Sequence, residues 1–198
     1  MARRSDHSKE QIKQMAINAA RELIREKGLS SLSARKVATQ IGYTPGTLYL
    51  VFKNQDELIL HINAITLEQL YQQLSASIKP GSSPQNCILQ LGQEYLNFAT
   101  QNKHLWRAIF DHSLPDGDIA PDWFQAHIVR LYELVENQLK QLNLNIDTHL
   151  AANALWSGVH GVCVLGFDFL NRQEQSENDI KALVESLINN YLKGLSKE

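Results

Sequence analysis

Residues 33–52 read Ser-Ala-Arg-Lys-Val-Ala-Thr-Gln-Ile-Gly-Tyr-Thr-Pro-Gly-Thr-Leu-Tyr-Leu-Val-Phe, and this stretch decides the fold. Ser33 suits the N-cap of a helix whose Val37, Ala38 and Ile41 face inward, and Gly42 can take the positive φ at which such a helix stops. Gly42-Tyr43-Thr44 is then a tight turn. Thr44 caps a second, short helix predicted from Pro45 to about Leu50, with Pro45 standing where the first turn needs no amide proton. Small Ala38 lets the two helices approach, while Val37, Ile41, Leu48 and Phe52 supply the core that fixes their crossing. This is helix-turn-helix geometry, with Thr44, Gly46, Thr47 and Tyr49 presented outward.

Working outward, the same punctuation recurs. Ser8 and Gln11 form a capping-box pattern opening a helix that places Ile12, Met15, Ala16, Ala19 and Leu23 on one stripe and ends at Gly28. Asn54 and Glu57 are a second N-cap and N3 pair, starting a long helix through Tyr71 toward Ile78. Lys79-Pro80-Gly81-Ser82-Ser83-Pro84 is a breaker cluster, hence a loop. Beyond it, helices are predicted at about 85–101, 103–112, 122–143, 148–171 and 177–194, with Ser113–Pro121 as a loop between the second and third. No segment alternates apolar and polar residues long enough to read as a half-buried strand. The expected fold is all-α.

The charge of the 198-residue chain is nearly balanced, 19 Lys+Arg against 21 Asp+Glu, for a formal net charge of −2. That balance conceals a split. Residues 1–60 carry ten Lys/Arg and six Asp/Glu, net +4, and the remainder is −6. A basic head and an acidic body suit a polyanionic partner for the first only. At 43% hydrophobic residues the chain can bury a core. Cys87 and Cys163 form no metal spacing and no disulfide framework, which points to a reducing cytoplasm. The basic start, Met1 to Asp6, is followed by no apolar stretch of the kind secretion requires.

Spacing alone would also fit a generic helical corner; the +4 head and the successive capping signals favour DNA. The surroundings extend this, for the sequence resembles the TetR family of bacterial transcription regulators over roughly residues 8–68. The resemblance rests on Gly28, Ala38, Gly42, Thr47-Leu48-Tyr49, Phe52 and Glu57-Leu58. One departure is Gln55, where the family usually has a phosphate-contacting Lys; either Lys53 substitutes or that contact is weaker. The resemblance implies a three-helix DNA-binding domain over 8–68, its helix-turn-helix about 32–51, followed by a larger helical ligand-binding and dimerisation domain over 69–198. Thr44, Gly46 and Thr47, with Pro45 beside them, are candidates for contacts to bases or nearby backbone. Tyr49 and Lys53 are candidates for phosphate contacts, joined by Ser33, Ala34 and Arg35 through a helix N-terminus and a guanidinium. The short helix carries no Arg or Lys, so bidentate guanine readout from it is unavailable; thymine methyl groups, Tyr43, Arg35 or DNA shape are the alternatives. The arm Arg3-Arg4 either tracks a groove or is an unstructured terminus.

In the acidic body, Thr148 to Phe167 holds twenty residues without a formal charge. His149, Asn153, Ser157 and His160 within it and its acidic flanks argue against a membrane span and for a buried helix. Ala151, Ala152, Gly158, Gly161 and Gly166 let a neighbouring helix approach closely. Trp156-Ser157-Gly158-Val159-His160-Gly161 resembles the Trp-His-Gly signature of one C-terminal subclass of the family. The resemblance implies a homodimer through helices about 148–171 and 177–194, a near-palindromic operator and a small-molecule effector that relieves repression, with no cofactor. Candidate effector contacts are Tyr95, Phe98, Trp106, Phe110, Trp123, Phe124, Trp156 and His160, each of which core packing would also explain. His104, His112, His127, His149 and His160 lack the i, i+3 or i, i+4 pairing of a metal motif. A helical enzyme using His160 with Asp168 or Glu94 finds no nucleophile or phosphate-binding motif in support, and a helical adaptor would bind no DNA.

Overall fold

The computed structural model describes residues 7–171 and 176–195, with side chains for all of these except 168–171. Arg3 and Arg4, the Asp168 side chain and the extreme C-terminus lie outside the described residues. Among the described residues there are nine α-helices and no strand: α1 Lys9–Lys27, α2 Ala34–Gln40, α3 Pro45–Leu48, α4 Gln55–Ser77, α5 Pro84–Gln101, α6 Lys103–Asp111, α7 Asp122–Lys140, α8 Thr148–Asn171 and α9 Glu177–Leu195. The predicted boundaries agree closely except that α3 stops at Leu48, short of Leu50, and α7 at Lys140. Beyond α7 the chain turns, and Asn143 takes a φ of 52°.

The capping reading is realised at both ends of the head. The Ser8 hydroxyl accepts from the Gln11 amide at 3.2 Å, while the Gln11 side chain accepts from the Ser8 amide at 2.7 Å. Asn54 accepts from the Glu57 amide at 2.9 Å, and the Glu57 carboxylate accepts from the Lys53 amide. Each pair satisfies amide donors that a helix start leaves without partners. The α1 stripe is rotated from the expected one. Ala16, Ile17, Ala20 and Ile24 are its buried line together with Ala19, whereas Ile12, Met15 and Leu23 are half-buried.

The chain forms two compact units, and they do not divide at a single point. The first takes in the chain up to Leu67 together with Asn102–Phe124; the second comprises Glu68–Gln101 and Gln125–Glu198. The continuous 69–198 expected from sequence is therefore interrupted: α6 and the loop after it pack with the head. The core of the first unit joins Ala16, Ile24, Val37, Leu48, Phe52 and Ile62 to Leu105 and Ala108 of α6. His112 also reaches back to Asp56, Nε2 to Oδ1 at 3.0 Å, and buried Asn63 donates to the Ala108 carbonyl at 3.1 Å.

In the second unit α9 packs against both α5 and α8. Glycines make the approach possible: a Cβ on Gly92 would lie 2.3 Å from Ile188 Cδ1, and one on Gly166 would lie 2.9 Å from three Ile180 side-chain atoms. Burial of Leu91, Val135, Leu155, Val159, Val184 and Ile188 supplies the apolar driving force. Thr148–Phe167 is, among the described residues, the one stretch long and apolar enough to cross a membrane, with a mean hydropathy of 1.4. Its Ala151, Ala152, Leu155, Val159 and Cys163 are buried within this unit.

Candidate nucleic-acid interface and effector cavity

The interface begins at the end of α2. Ser33 caps that helix, its hydroxyl accepting from the Lys36 amide at 3.3 Å, and the Lys36 ammonium donates to the Ser31 carbonyl at 2.7 Å. At the other end Gly42 has a φ of 77°, with the Gly42 amide on the Thr39 carbonyl and the Tyr43 amide on the Ala38 carbonyl at 2.8 Å. These are the two bonds of a Schellman stop. A Cβ on Gly42 would meet nothing within 4 Å, so the glycine is required by the left-handed backbone and not by crowding.

Pro45 follows as the first residue of α3. Thr44 occupies the cap position, but contrary to expectation its side chain makes no cap bond; its hydroxyl pairs with that of Thr47 at 3.2 Å. Leu48 and Phe52 are buried and anchor the element from below. Above, Thr44, Pro45 and Gly46 are exposed and Thr47 half-exposed, while Tyr49 is 57% exposed. Arg35, Lys53 and Gln55 are exposed, and Ser33, Ala34 and Tyr43 half-buried. All eleven of these candidates belong to the first unit, on the cap and body of α2, the turn after it, α3, the link from α3 to α4 and the first residue of α4. Sequence reasoning missed two residues. Leu50, apolar by type and so assignable to a core, is 67% exposed beside Tyr49, and His7 sits with its Nδ1 2.8 Å from the Tyr43 hydroxyl.

The eight effector candidates are shared between the two units. Trp106, Phe110, Trp123 and Phe124 belong to the first unit. There Trp106 packs edge-on to Phe110, and Trp123 stacks on His61 with centroids 4.8 Å apart. Tyr95, Phe98, Trp156 and His160 belong to the second. Of these, Tyr95 and Trp156 line a cavity of about 20 Å³ together with Leu91, Val135, Val159 and Ile188 among others. That is room for about one water. Phe98 is buried and outside the lining. The Tyr95 hydroxyl lies 2.8 Å from His160 Nδ1, and its ring meets Trp156 edge-on at 5.0 Å. Burial holds the His160 imidazole below its usual range, so it presents a neutral ring. No lining residue carries a charge.

Other chemistry finds little to work with. Glu94 is engaged by Gln73 at 3.0 Å and by Asn97, away from the Tyr95–His160 pair. Burial pushes the Cys163 thiol up to about 12, which leaves it unreactive. Among the described residues no three His, Cys, Asp or Glu side chains gather as a metal site would require.

A basic, capped helix-turn-helix unit followed by a helical body defines a DNA-binding transcription regulator rather than an enzyme. Residues 16–62 match the family model described as bacterial regulatory proteins, tetR family, and residues 88–191, more than half of the chain, match that of the tetracyclin repressor-like C-terminal domain. The chain belongs to the TetR family of transcriptional regulators. It is 26% identical over 151 residues to the HTH-type transcriptional regulator BetI of Brucella canis, a match covering 75% of this chain and 76% of that protein. A 63-residue stretch is 33% identical to the fatty acid metabolism regulator protein of Bacillus subtilis, covering 32% of each. The solved structure of FadR from Bacillus subtilis in complex with stearoyl-CoA superimposes with a TM-score of 0.69 at 17% identity, covering 91% of this chain and 98% of that one.

Proposed function

We propose that the protein is a homodimeric repressor that leaves a near-palindromic operator when a small molecule enters the α5–α8–α9 cavity. The observation that carries this reading is the α2–α3 turn. A Schellman stop and two buried anchors present Thr44, Gly46, Thr47 and Tyr49 outward from a segment of net charge +4. DNA reading is assigned to residues 8–68, and effector binding and pairing to 69–198 outside the 102–124 segment. The DNA it reads places the protein in the cytoplasm.

Pairing is supported by what α8 and α9 leave open. Leu150, Ala154, Ser157, Gly161 and Leu165 recur every three or four residues along α8 and are exposed or half-exposed, and Leu183 is exposed on α9. A second copy covering this stripe would join two recognition elements in one molecule, as an operator with half-sites one turn of DNA apart, about 34–36 Å, requires. The effector is argued from the cavity. Its uncharged walls favour an apolar molecule, as the stearoyl part of the stearoyl-CoA in the FadR complex is. The free volume is far below that of a ligand pocket, roughly 300 Å³ or more, so binding must part the helices. Only then does differential affinity for the two arrangements move DNA occupancy.

Selection of bound fragments from random DNA by the full-length protein tests the reading. An inverted repeat with steep salt dependence is expected; recovery of no preferred sequence would sink it.

A further inference from the structure

We propose that His7 is a positioning residue for DNA recognition, fixing through Tyr43 the turn that presents α3. The inference rests on the assignment of that turn and α3 to DNA. Helix α3 has four residues, too few to be stable by its own hydrogen bonds. Its cap residue contributes no side-chain cap bond. Its aim is thus set from outside, by Leu48 and Phe52 beneath its C-terminal end and by whatever holds Tyr43 at its N-terminal end.

The backbone of Tyr43 is tied to the Ala38 carbonyl, a bond within the α2 stop that makes no link to α1. The second tether is the side chain. The half-buried phenol reaches a residue 36 positions earlier, meeting His7 Nδ1 at 2.8 Å with ring centroids 6.1 Å apart and planes at 66°. Whichever partner donates, the pair closes a bridge between the start of α1 and the recognition turn.

His7 is a firm post for that bridge. It immediately precedes Ser8, whose reciprocal cap with Gln11 fixes the chain entering α1. Helix α1 is in turn seated by Ala16, Ile17, Ala20 and Ile24 in the core of the same unit. The path therefore runs from core to α1, from its cap to His7, and from the imidazole to Tyr43 and α3. A histidine at the start of a basic segment has a rival role, direct contact with a phosphate, and the two roles have different signatures.

A double-mutant cycle on operator affinity, with the full-length protein and His7→Ala, Tyr43→Phe and both together, separates them. Positioning predicts that each single change weakens binding about three- to tenfold, as loss of one hydrogen bond would. The double variant then binds no worse than the weaker single. The slope of affinity against salt stays unchanged, since no phosphate is neutralised by the bridge. His7→Gln, which keeps a hydrogen-bonding group at similar reach, recovers most of the affinity. Effects that multiply, a salt slope smaller by about one in His7→Ala, or singles that bind as the wild type does would each overturn the inference. Should His7→Ala fold poorly, Tyr43→Phe and His7→Gln carry the same comparison. A wild-type chain without operator affinity would instead remove the regulator reading itself.

Discussion

Tyr49 and Lys53 stand on the exposed side of the same short segment, yet they should fail in different ways when replaced. A tyrosine hydroxyl on a phosphate is a hydrogen bond to a charged group, worth about 1.5–3 kcal/mol. Tyr49→Phe should therefore weaken operator binding at least tenfold with an unchanged salt slope, whereas Lys53→Gln should reduce that slope by about one. Fluorescence anisotropy across a salt series reads both. His160 makes a prediction about acid. Burial lowers its folded-state value, so the unfolded chain takes up the proton first as pH falls. Stability from this group is full above about 6.5 and declines below it. Thermal midpoints between pH 8 and 5 should fall more steeply for the wild type than for His160→Gln. His61, held low by burial and by Lys13, adds a slope that both proteins share. At this scale the sequence was read well where a residue has one use, as Ser8, Gln11 and Gly42 do. Residue type says nothing of the exposure of Leu50 or of the bond from His7 to Tyr43, because both depend on how the chain folds back on itself.

Among the elements, the α5–α9 contact is the sharpest case of backbone proximity enforced by a missing side chain. The methyl added by Gly92→Ala would collide with the tip of Ile188, an overpacking that costs about 1–3 kcal/mol. Ile188→Val removes the atom in the way, so Gly92→Ala/Ile188→Val should recover most of that loss in chemical denaturation. An additive pair would show the strain to lie elsewhere. Gly92 and Ile188 both line the cavity, so the pair adds one carbon to its wall and removes another. Helix existence was legible because caps and breakers are local. Which face of α1 turned inward was not, since Ala16, Ala19 and Ala20 offer nearly equal apolarity on neighbouring faces and Ile17 and Ile24 settle the matter only once partners exist. The four aromatics from Trp106 to Phe124 fold with the first unit, which their residue types alone do not announce. An amphipathic α6 specifies that it must pack, and not on which unit.

For the molecule as a whole, pairing is the property on which operator affinity should depend. Gly161 lies on the open stripe of α8, and a side chain built there meets nothing within 4 Å of its Cβ. Gly161→Glu should thus leave the fold intact, as judged by circular dichroism, while converting the protein to a monomer in sedimentation. Operator affinity should then drop about a hundredfold or more, because the second half-site is no longer bound intramolecularly. A variant that remains dimeric would move the interface away from α8. The interruption of the second unit by 102–124 has a consequence for how the protein is made. Translation delivers α1, α2 and α3 long before Leu105 and Ala108, the residues that complete their core. At about 5–20 residues per second the nascent head waits seconds with Ile24 and Ile62 incompletely covered. The DNA-reading unit is thus the first to be synthesised but cannot finish folding until the whole of α5 has also left the ribosome.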